Sequence, residues 1–196
     1  MSTLLLASAS PRRRDLLQRV GLSLEVRPAD VDESALPGET PGAYVTRIAR
    51  AKAAAVPRAA GQWVLAADTT VTIDGAILAK AESPEEAAMM LRMISGRTHQ
   101  VLTAFVILGN DIVRERTVST DVEVIVISDE VLADYVASNE WRGKAGAYAI
   151  QGIAASLVRS VTGSVTNVIG LPLVEVLETL RDAGGPTPTF SAGLPV

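Results

Sequence analysis

The chain has 196 residues, 48% of them hydrophobic, and contains no cysteine, which excludes disulfides, thiolate metal sites and cysteine nucleophiles. Its formal net charge of −4 argues against a broad surface for binding nucleic acid. Only 4% of the residues are aromatic, which argues against a stacking platform for single-stranded nucleic acid.

The first predicted elements are a strand, a helix and a second strand. The apolar run at residues 3–7 is typical of a buried strand. Ser10 and Pro11 then occupy the N-cap and the first position of a helix that ends near Gly21. Weak alternation at residues 22–27 predicts the second strand.

Turn and cap residues divide the middle of the chain into further elements. An Asp-Gly pair between β-rich runs favours a type I′ hairpin, and carboxylates after a Ser-Pro pair suit the positive end of a helix. In chain order the predicted segments are an acidic loop (30–38), a helix (40–57), a strand (63–67) that finishes at Asp68, a hairpin (70–79) about Asp74-Gly75, a helix (83–96), two β-rich runs (100–108 and 113–127) joined at Gly109-Asn110, and a short helix (128–137).

The last part of the chain adds a glycine-rich loop, a strand and a closing helix. The loop covers residues 139–152, the strand 153–161 and the helix 173–180, which Gly184-Gly185 ends. Because hairpins interrupt the alternation of strands and helices, we expect a mixed α/β fold. Its central sheet should be mixed and twisted, with helices on its faces.

No apolar run reaches the ~18 residues of a membrane span. The positive cluster follows the N-terminal apolar run, whereas it precedes that run in a secretory signal. Together with the missing cysteine, this predicts a cytoplasmic protein without membrane contact. We expect one domain over residues 1–185 and a disordered tail over 186–196.

Common nucleotide and metalloprotease motifs are missing. The sequence has no G-x-x-x-x-G-K-[ST] loop, no G-x-G-x-x-G after a strand and no H-E-x-x-H. His99 is the only histidine, so a histidine-based triad would have to include it; we expect a structural or surface role for it instead. Without cysteine and with one histidine, a metal site would rest on oxygen ligands, which suits Mg²⁺ or Mn²⁺.

The junction at residues 8–14 is the most informative stretch. Ser8 and Ser10 place hydroxyls beside the unpaired N–H groups and the positive end of the first helix. Arg12 and Arg13 in the first turn are unfavourable for the helix dipole, so they favour a bound anion, and arginine can clamp phosphate oxygens with two hydrogen bonds. An ordinary capped helix with solvated arginines fits the same spacing.

Three carboxylates occupy candidate site positions: Asp32 and Glu33 in the acidic loop, and Asp68 at the predicted strand end. Hydrolysis of a phosphoanhydride needs a divalent cation on the phosphates and a group that takes a proton from water. Carboxylates can serve both needs. The alternatives are a solvated loop position for Asp32 and Glu33, and a turn or capping role for Asp68.

Lys52, Lys80 and Gln151 extend this set. Lys52 has alanines on both sides in an alanine-rich helix segment, so its long side chain can reach past small neighbours, and Lys80 follows an apolar strand. Gln151 lies in the glycine-rich loop, and its amide can form hydrogen bonds with both a donor and an acceptor on a base edge. Each lysine also fits an ordinary surface position, and the loop also fits a flexible segment outside any site.

Short motifs follow one another in a fixed order from about residue 3 to 181. They are Leu6-Ala-Ser-Ala-Ser-Pro-Arg-Arg13, Asp32-Glu33, Ala51-Lys52-Ala53, Ala67-Asp-Thr69, Leu78-Ala-Lys80, Ser95-Gly96, His99-Gln-Val-Leu-Thr103, Lys144-Ala-Gly-Ala-Tyr148, Ile150-Gln-Gly152 and Asn167-Val-Ile-Gly-Leu-Pro172. This ordered set resembles the Maf family of nucleoside triphosphate pyrophosphatases and is highly specific, although one such motif alone would be weak.

The resemblance implies hydrolysis of a nucleoside triphosphate to the monophosphate and pyrophosphate with Mg²⁺ or Mn²⁺, which would remove unwanted or modified nucleotides. It implies an ITPase-like fold with two lobes around a cleft, and a homodimer. Asp68 corresponds to the family's proton acceptor. Arg12, Thr69 and Gln151 correspond to its specificity positions, in a combination that resembles the branch acting on dTTP and UTP.

In the interpretation that follows from this resemblance, Glu33 and Asp68 hold the cation. The remaining residues bind the phosphates, with hydroxyls from Ser8 and Ser10 and positive charge from three further side chains, Arg13, Lys52 and Lys80.

Two positions depart from the family pattern. Ala81 stands where proline is usual, and Gly143 stands where an aspartate usually precedes the lysine, so an acidic side chain of the family pattern is missing on the pyrophosphate side of the site. One rival interpretation is a nucleotide-binding regulator of cell division with incidental hydrolysis. Another is an enzyme acting on 7-methyl-GTP or modified nucleotides. The 7-methyl-GTP branch has an aromatic residue in place of Arg12 and glutamate in place of Gln151, which argues against that enzyme.

Overall fold

The computed structural model describes residues 3–109 and 111–189. Within them the elements are, in chain order, β1 (Leu4–Leu6), α1 (Pro11–Arg19), β2 (Leu24–Val26), α2 (Pro41–Ala55), β3 (Trp63–Ile73), β4 (Ala76–Leu78), α3 (Pro84–Ile94), β5 (Thr98–Gly109), β6 (Ile112–Val124), α4 (Asp129–Ala137), a 3-10 helix (Ile153–Leu157), β7 (Val158–Thr162), α5 (Val165–Ile169) and α6 (Leu173–Asp182). The predicted mixed α/β class is confirmed.

The seven strands of the described residues form one sheet with the order β2-β1-β3-β5-β6-β7, and β4 pairs with β3 beside this path. β1 runs parallel to both β2 and β3, whereas the other pairs are antiparallel. Two hairpins therefore extend a small parallel region, as the turn residues predicted. At the first hairpin, Asp74 and Gly75 have φ values of 51° and 79°, as a type I′ turn requires.

Pairing is interrupted along the edge of β3 that faces away from β5. β1 covers this edge at Trp63–Leu65 and β4 covers it at Val71–Ile73. Within the described part of the chain, no strand pairs with the edge between them, at residues 66–70. The Leu65 carbonyl still accepts the Ala7 N–H at 2.8 Å, so strand alternation turns the backbone groups of Ala67 and Thr69 toward the same opening.

Apolar side chains cover both faces of the sheet. Leu4 and Leu6 pack with α1 and α6 on one face, and Leu5 packs with α2 on the other. A third cluster joins α3 and α4 to the far part of β3 and β5, with Trp141 only 1% exposed. Among the helices that the structure describes, none combines the length and apolar character that crossing a bilayer would require.

Several local predictions are wrong. β3 does not finish at Asp68 but continues to Ile73, because β5 pairs with it from Val64 to Thr72. The segment predicted as a strand from residue 153 begins as a 3-10 helix, and the short helix α5 was not predicted. Ser10 is at the N-cap position of α1, but its side chain caps no N–H group.

The predicted disordered tail falls largely outside the described residues, which end at residue 189. Within the described part, Pro186 is buried and the Thr189 hydroxyl donates to the Gly21 carbonyl at 3.0 Å. The single domain over residues 1–185 stays a prediction.

Candidate active site

A cleft of about 410 Å³ lies at the interrupted edge of β3, between the β1–α1 junction and the loop at residues 143–151. It brings together every residue assigned to the site from the sequence. These are Ser8, Ser10, Arg12, Arg13, Glu33, Lys52, Asp68, Thr69, Lys80 and Gln151. Asp32 does not line the cleft; its carboxylate accepts the Ser34 N–H at 2.9 Å in an exposed loop.

Lys52 joins the two carboxylates of the cleft. Its Nζ lies 2.8 Å from Asp68 Oδ1 and 2.6 Å from Glu33 Oε1. Lys52 faces the sheet from α2, with alanines around it, so its buried side chain can reach β3. Lys80 Nζ adds a third contact, 2.7 Å from Glu33 Oε2.

Burial and charge act differently on the two carboxylates. Burial raises the pKa of Asp68 above its usual value, although the charge and hydrogen bond of Lys52 oppose this. At Glu33 burial also favours a higher pKa, but the hydrogen bonds from Lys52 and Lys80 outweigh it and lower the pKa to about 2. Glu33 is therefore charged at neutral pH, and Asp68 is the stronger base.

Arg13 is buried and forms one side of the cleft. Its guanidinium donates to the Gly170 carbonyl at 2.7 Å, to Ser8 Oγ at 3.1 Å and to Thr69 Oγ1 at 3.0 Å. Thr69 Oγ1 also lies 2.9 Å from Thr103 Oγ1 on β5. Arg13 thus fixes β1, β3 and the loop after α5 relative to one another, while its charge lies beside the cleft.

The first turn of α1 points into the cleft. Because Ser10 provides no side-chain cap, the N–H groups of this turn stay available to a ligand. Ser10 N–H instead donates to Ser8 Oγ at 3.2 Å. Arg12 is half-buried, and this burial lowers its pKa. Pairing with an anion would offset that unfavourable burial.

The opposite wall is the loop that carries Gln151. Gly146 attaches it to the sheet: its N–H donates to the Leu78 carbonyl at 2.9 Å, and a Cβ there would lie 2.7 Å from the Val71 side chain. Gly143 has a φ of 67°, which glycine adopts without strain. Sequence reasoning did not assign Lys144, which lines the cleft and has its pKa lowered by burial and by the Arg12 charge. Lys144 begins the motif Lys144-Ala-Gly-Ala-Tyr148, which could have identified it as a site residue.

His99 has a structural environment, as predicted. It is 2% exposed, and its Nε2 lies 2.7 Å from the hydroxyl of Tyr148, which lines the cleft. Burial lowers the pKa of His99 to about 4, against a smaller opposing effect of Asp121. His99 is therefore neutral at pH 7 and supports the cleft wall from behind.

A divalent cation fits the donor set of the cleft. No group of three or more histidine, aspartate or glutamate side chains suited to a metal occurs among the residues described. Mg²⁺, however, is commonly held by one or two carboxylates together with substrate phosphates and waters. Glu33 and Asp68, which share contacts with one ammonium group, are the two carboxylates of the cleft that would hold such a cation.

Residues 3–183 match the protein family described as Maf-like protein. The chain belongs to the Maf family. Among Maf relatives, the dTTP/UTP pyrophosphatase of an Anaeromyxobacter dehalogenans strain is 49% identical over 189 residues, which are 94% of this chain and 96% of that protein. The dTTP/UTP pyrophosphatase of a Rhodopseudomonas palustris strain is 47% identical over 192 residues, covering 93% of each chain.

Solved structures give a more distant comparison for this Maf chain. The Staphylococcus aureus Ham1 protein has a TM-score of 0.45 and 16% identity, over 63% of this chain and 72% of that one. A nucleoside-triphosphatase / dITP/XTP pyrophosphatase from Mycobacterium abscessus has a TM-score of 0.35 and 19% identity, over 61% and 74% of the two chains.

Proposed function

We propose that this protein hydrolyses dTTP and UTP to the nucleoside monophosphate and pyrophosphate. The observation that carries the proposal is the convergence of arginines, lysines and a buried carboxylate in one cleft. Such cations neutralise a triphosphate, and a buried carboxylate can take a proton from water. The choice of bases follows the names of relatives that are 47–49% identical over nearly the whole chain.

The triphosphate enters between the first turn of α1 and the two lysines. Its oxygens replace Glu33 as the partner of Lys52 and Lys80, because both ammonium groups already bind an anionic oxygen within 2.7 Å. The hydroxyls of Ser8 and Ser10 and the N–H groups of the helix donate to the same oxygens. The charge of Arg13 adds to this attraction from the side.

Asp68 accepts the proton of the attacking water. A new bond forms between the water oxygen and one phosphorus of the α–β phosphoanhydride, and the bond from that phosphorus to the bridging oxygen breaks, which leaves the nucleoside monophosphate and pyrophosphate as products. The raised pKa of Asp68 favours this transfer, because a stronger base takes the proton more readily. A recess of about 330 Å³ that shares Asp68 with the cleft and reaches Tyr44 gives water access to this carboxylate.

Arg12, Thr69 and Gln151 recognise the base. A guanidinium only donates hydrogen bonds, so Arg12 favours the carbonyl oxygens of uracil and thymine over the amino group of cytosine. The Gln151 amide can pair with a neighbouring donor and acceptor on the base edge. Thr69 contributes a hydroxyl that is held by Arg13 and Thr103.

We also propose that the reaction requires Mg²⁺ or Mn²⁺, which Glu33, Asp68 and the phosphates would hold. The cation would neutralise phosphate charge when bound. We further propose that the protein acts in the cytoplasm, because the cytoplasm supplies nucleoside triphosphates and Mg²⁺. A homodimer, which the family resemblance implies, is tested by light scattering.

A pyrophosphate-release screen tests the function. The full chain is incubated with the eight common nucleoside triphosphates, 7-methyl-GTP and modified nucleotides, with and without Mg²⁺ or Mn²⁺. We expect release from dTTP and UTP that stops when EDTA removes the metal. Stable dTTP binding without release would instead support a nucleotide-binding regulator. A preference for 7-methyl-GTP or a modified base would support the other branch.

A further inference from the structure

Glu140 lies outside the cleft but holds the segment that follows Gln151. Its Oε2 accepts the N–H of Ile153 at 2.8 Å, and its Oε1 accepts the N–H of Ala154 at 3.1 Å. These are the first N–H groups of the 3-10 helix, which has no side-chain cap of its own. Glu140 therefore satisfies these two N–H groups from 13 and 14 residues away in sequence.

The carboxylate of Glu140 is itself fixed to the core. The hydroxyl of Tyr135, a buried residue of α4, donates to Glu140 Oε1 at 3.2 Å. The next residue, Trp141, is buried, and its ring N–H donates to the Val136 carbonyl at 3.0 Å. The segment after Gln151 is thus tied through one carboxylate to α4.

Gly152 leaves the space that this contact needs. A Cβ at this position would lie 1.9 Å from Glu140 Oε2 and 2.4 Å from its Cδ. The φ of Gly152 is −117°, outside the left-handed region that favours glycine, so the close approach of Glu140 is the reason for glycine that the contacts show. A side chain here would displace the carboxylate from the backbone.

Gln151 is exposed and lines the cleft immediately before this contact. Two hydrogen bonds to its amide can select a base only if its backbone stays at a fixed distance from the opposite wall, where Arg12 and Thr69 lie. We propose that Glu140 is a positioning residue for base recognition, because its carboxylate fixes the backbone that presents Gln151. The inference rests on the proposed function.

The test compares dTTP with abasic 2′-deoxyribose 5′-triphosphate, which has the same phosphates but no base. In Glu140→Gln an amide N–H group faces a backbone N–H, so one contact is lost. We expect kcat/KM for dTTP to fall about tenfold, as for the loss of a hydrogen bond, and kcat/KM for the abasic compound to stay within about twofold. Gly152→Ala, which displaces the same carboxylate, should reproduce this pattern.

A double-mutant cycle separates positioning from general stability. Adding Glu140→Gln to Gln151→Ala should cause no further loss with dTTP, because the amide to be positioned is already gone. Ser128→Ala is the matched control: it removes the N-cap of α4, on the same side of the molecule, and should leave the ratio of the two substrates unchanged. Additive losses, or equal losses on both substrates, would overturn the inference.

Two readouts do not depend on turnover. Hydrogen exchange at the Ile153 and Ala154 amides should accelerate in Glu140→Gln, whereas unchanged exchange would contradict the contact. Calorimetric binding of dTTP and the abasic compound repeats the comparison without catalysis. If the wild type binds dTTP but releases no pyrophosphate, the proposed hydrolysis fails while the positioning role is still tested.

Discussion

Asp68 and Thr69 are consecutive residues of β3 whose side chains leave opposite faces of the sheet and line the same cleft. Asp68 meets Lys52 of α2 at 2.8 Å, and Thr69 meets Arg13 of α1 at 3.0 Å. This arrangement depends on the interrupted strand edge, because a paired strand would separate the two faces. Two neighbouring residues of one strand thus supply both a buried carboxylate and a polar wall to the cleft.

Asp68→Asn keeps the size of the side chain but removes its ability to accept a proton. We expect kcat for dTTP to fall ~10²–10⁴-fold. Steady-state pyrophosphate release measures the loss. Asp121→Asn is the control, because Asp121 is also a strand carboxylate and accepts from Gln100 at 3.2 Å outside the cleft. Near wild-type turnover by Asp68→Asn would remove this residue from the chemistry.

In the metal-free protein, Asp68 should titrate above the usual pKa of an aspartate, and Glu33 near pH 2. Lys52→Met removes a positive partner from both carboxylates, which disfavours their charged forms. Both pKa values should therefore rise, by about 1–3 units for an opposite charge at this distance. Carbon-13 NMR of the carboxyl carbons measures them. Arg14→Met, outside the cleft, should shift neither, and unchanged values in Lys52→Met would contradict the bridge.

His99 should make stability depend on pH. Its pKa falls from 6.5 to about 4 on folding, so between these pH values the unfolded chain binds a proton that the folded chain excludes. Stability from this group is present above pH 6.5 and is lost as the pH falls to 4, by roughly 3 kcal/mol. Urea unfolding of the wild type and His99→Gln at pH 7, 5 and 4 measures the difference.

Tyr148→Phe separates the titration of His99 from its hydrogen bond. This variant keeps the imidazole but removes the hydroxyl at 2.7 Å, so it should cost about 1 kcal/mol at pH 7 and retain the pH dependence. A free-energy difference between wild type and His99→Gln that does not change with pH would show that folding leaves the pKa of His99 unchanged, and would contradict the lowered value.

Gln151→Glu replaces a group that donates and accepts with one that only accepts. We expect kcat/KM for dTTP to fall about 10- to 100-fold, because a hydrogen bond to the base is replaced by repulsion between two acceptors. Kinetics across the eight common triphosphates measure the change in selectivity. Gln62→Glu is the matched control, since Gln62 lies outside the cleft. Unchanged selectivity in Gln151→Glu would exclude this residue from base recognition.

Local chemistry accounts for the elements that sequence predicted correctly. Thr40, Ser83 and Ser128 each cap a helix through a side-chain oxygen, at the positions where the sequence predicts helix starts. The turn at Asp74-Gly75 likewise depends only on residues that tolerate positive φ. Such features need no information from the rest of the chain.

Features set by distant partners could not be predicted in this way. The end of β3 is decided by its pairing with β5, so Asp68 lies within the strand and not at its end. The 3-10 helix begins at Ile153 because Glu140 accepts its first N–H groups. Short motifs and the family resemblance identified the cleft residues, but the contact of Lys52 with both carboxylates joins three separate segments and appears only in the fold.

The opening at residues 66–70 also bears on strand addition from other molecules. An exposed strand edge can recruit strands from other molecules and so begin aggregation. Here β1 and β4 close the edge on either side, and the charged side chains of Lys52 and Asp68 stand beside the opening. Four of the five residues at the opening are buried, so little of this backbone is within reach of a strand from another molecule, which disfavours strand addition at this edge.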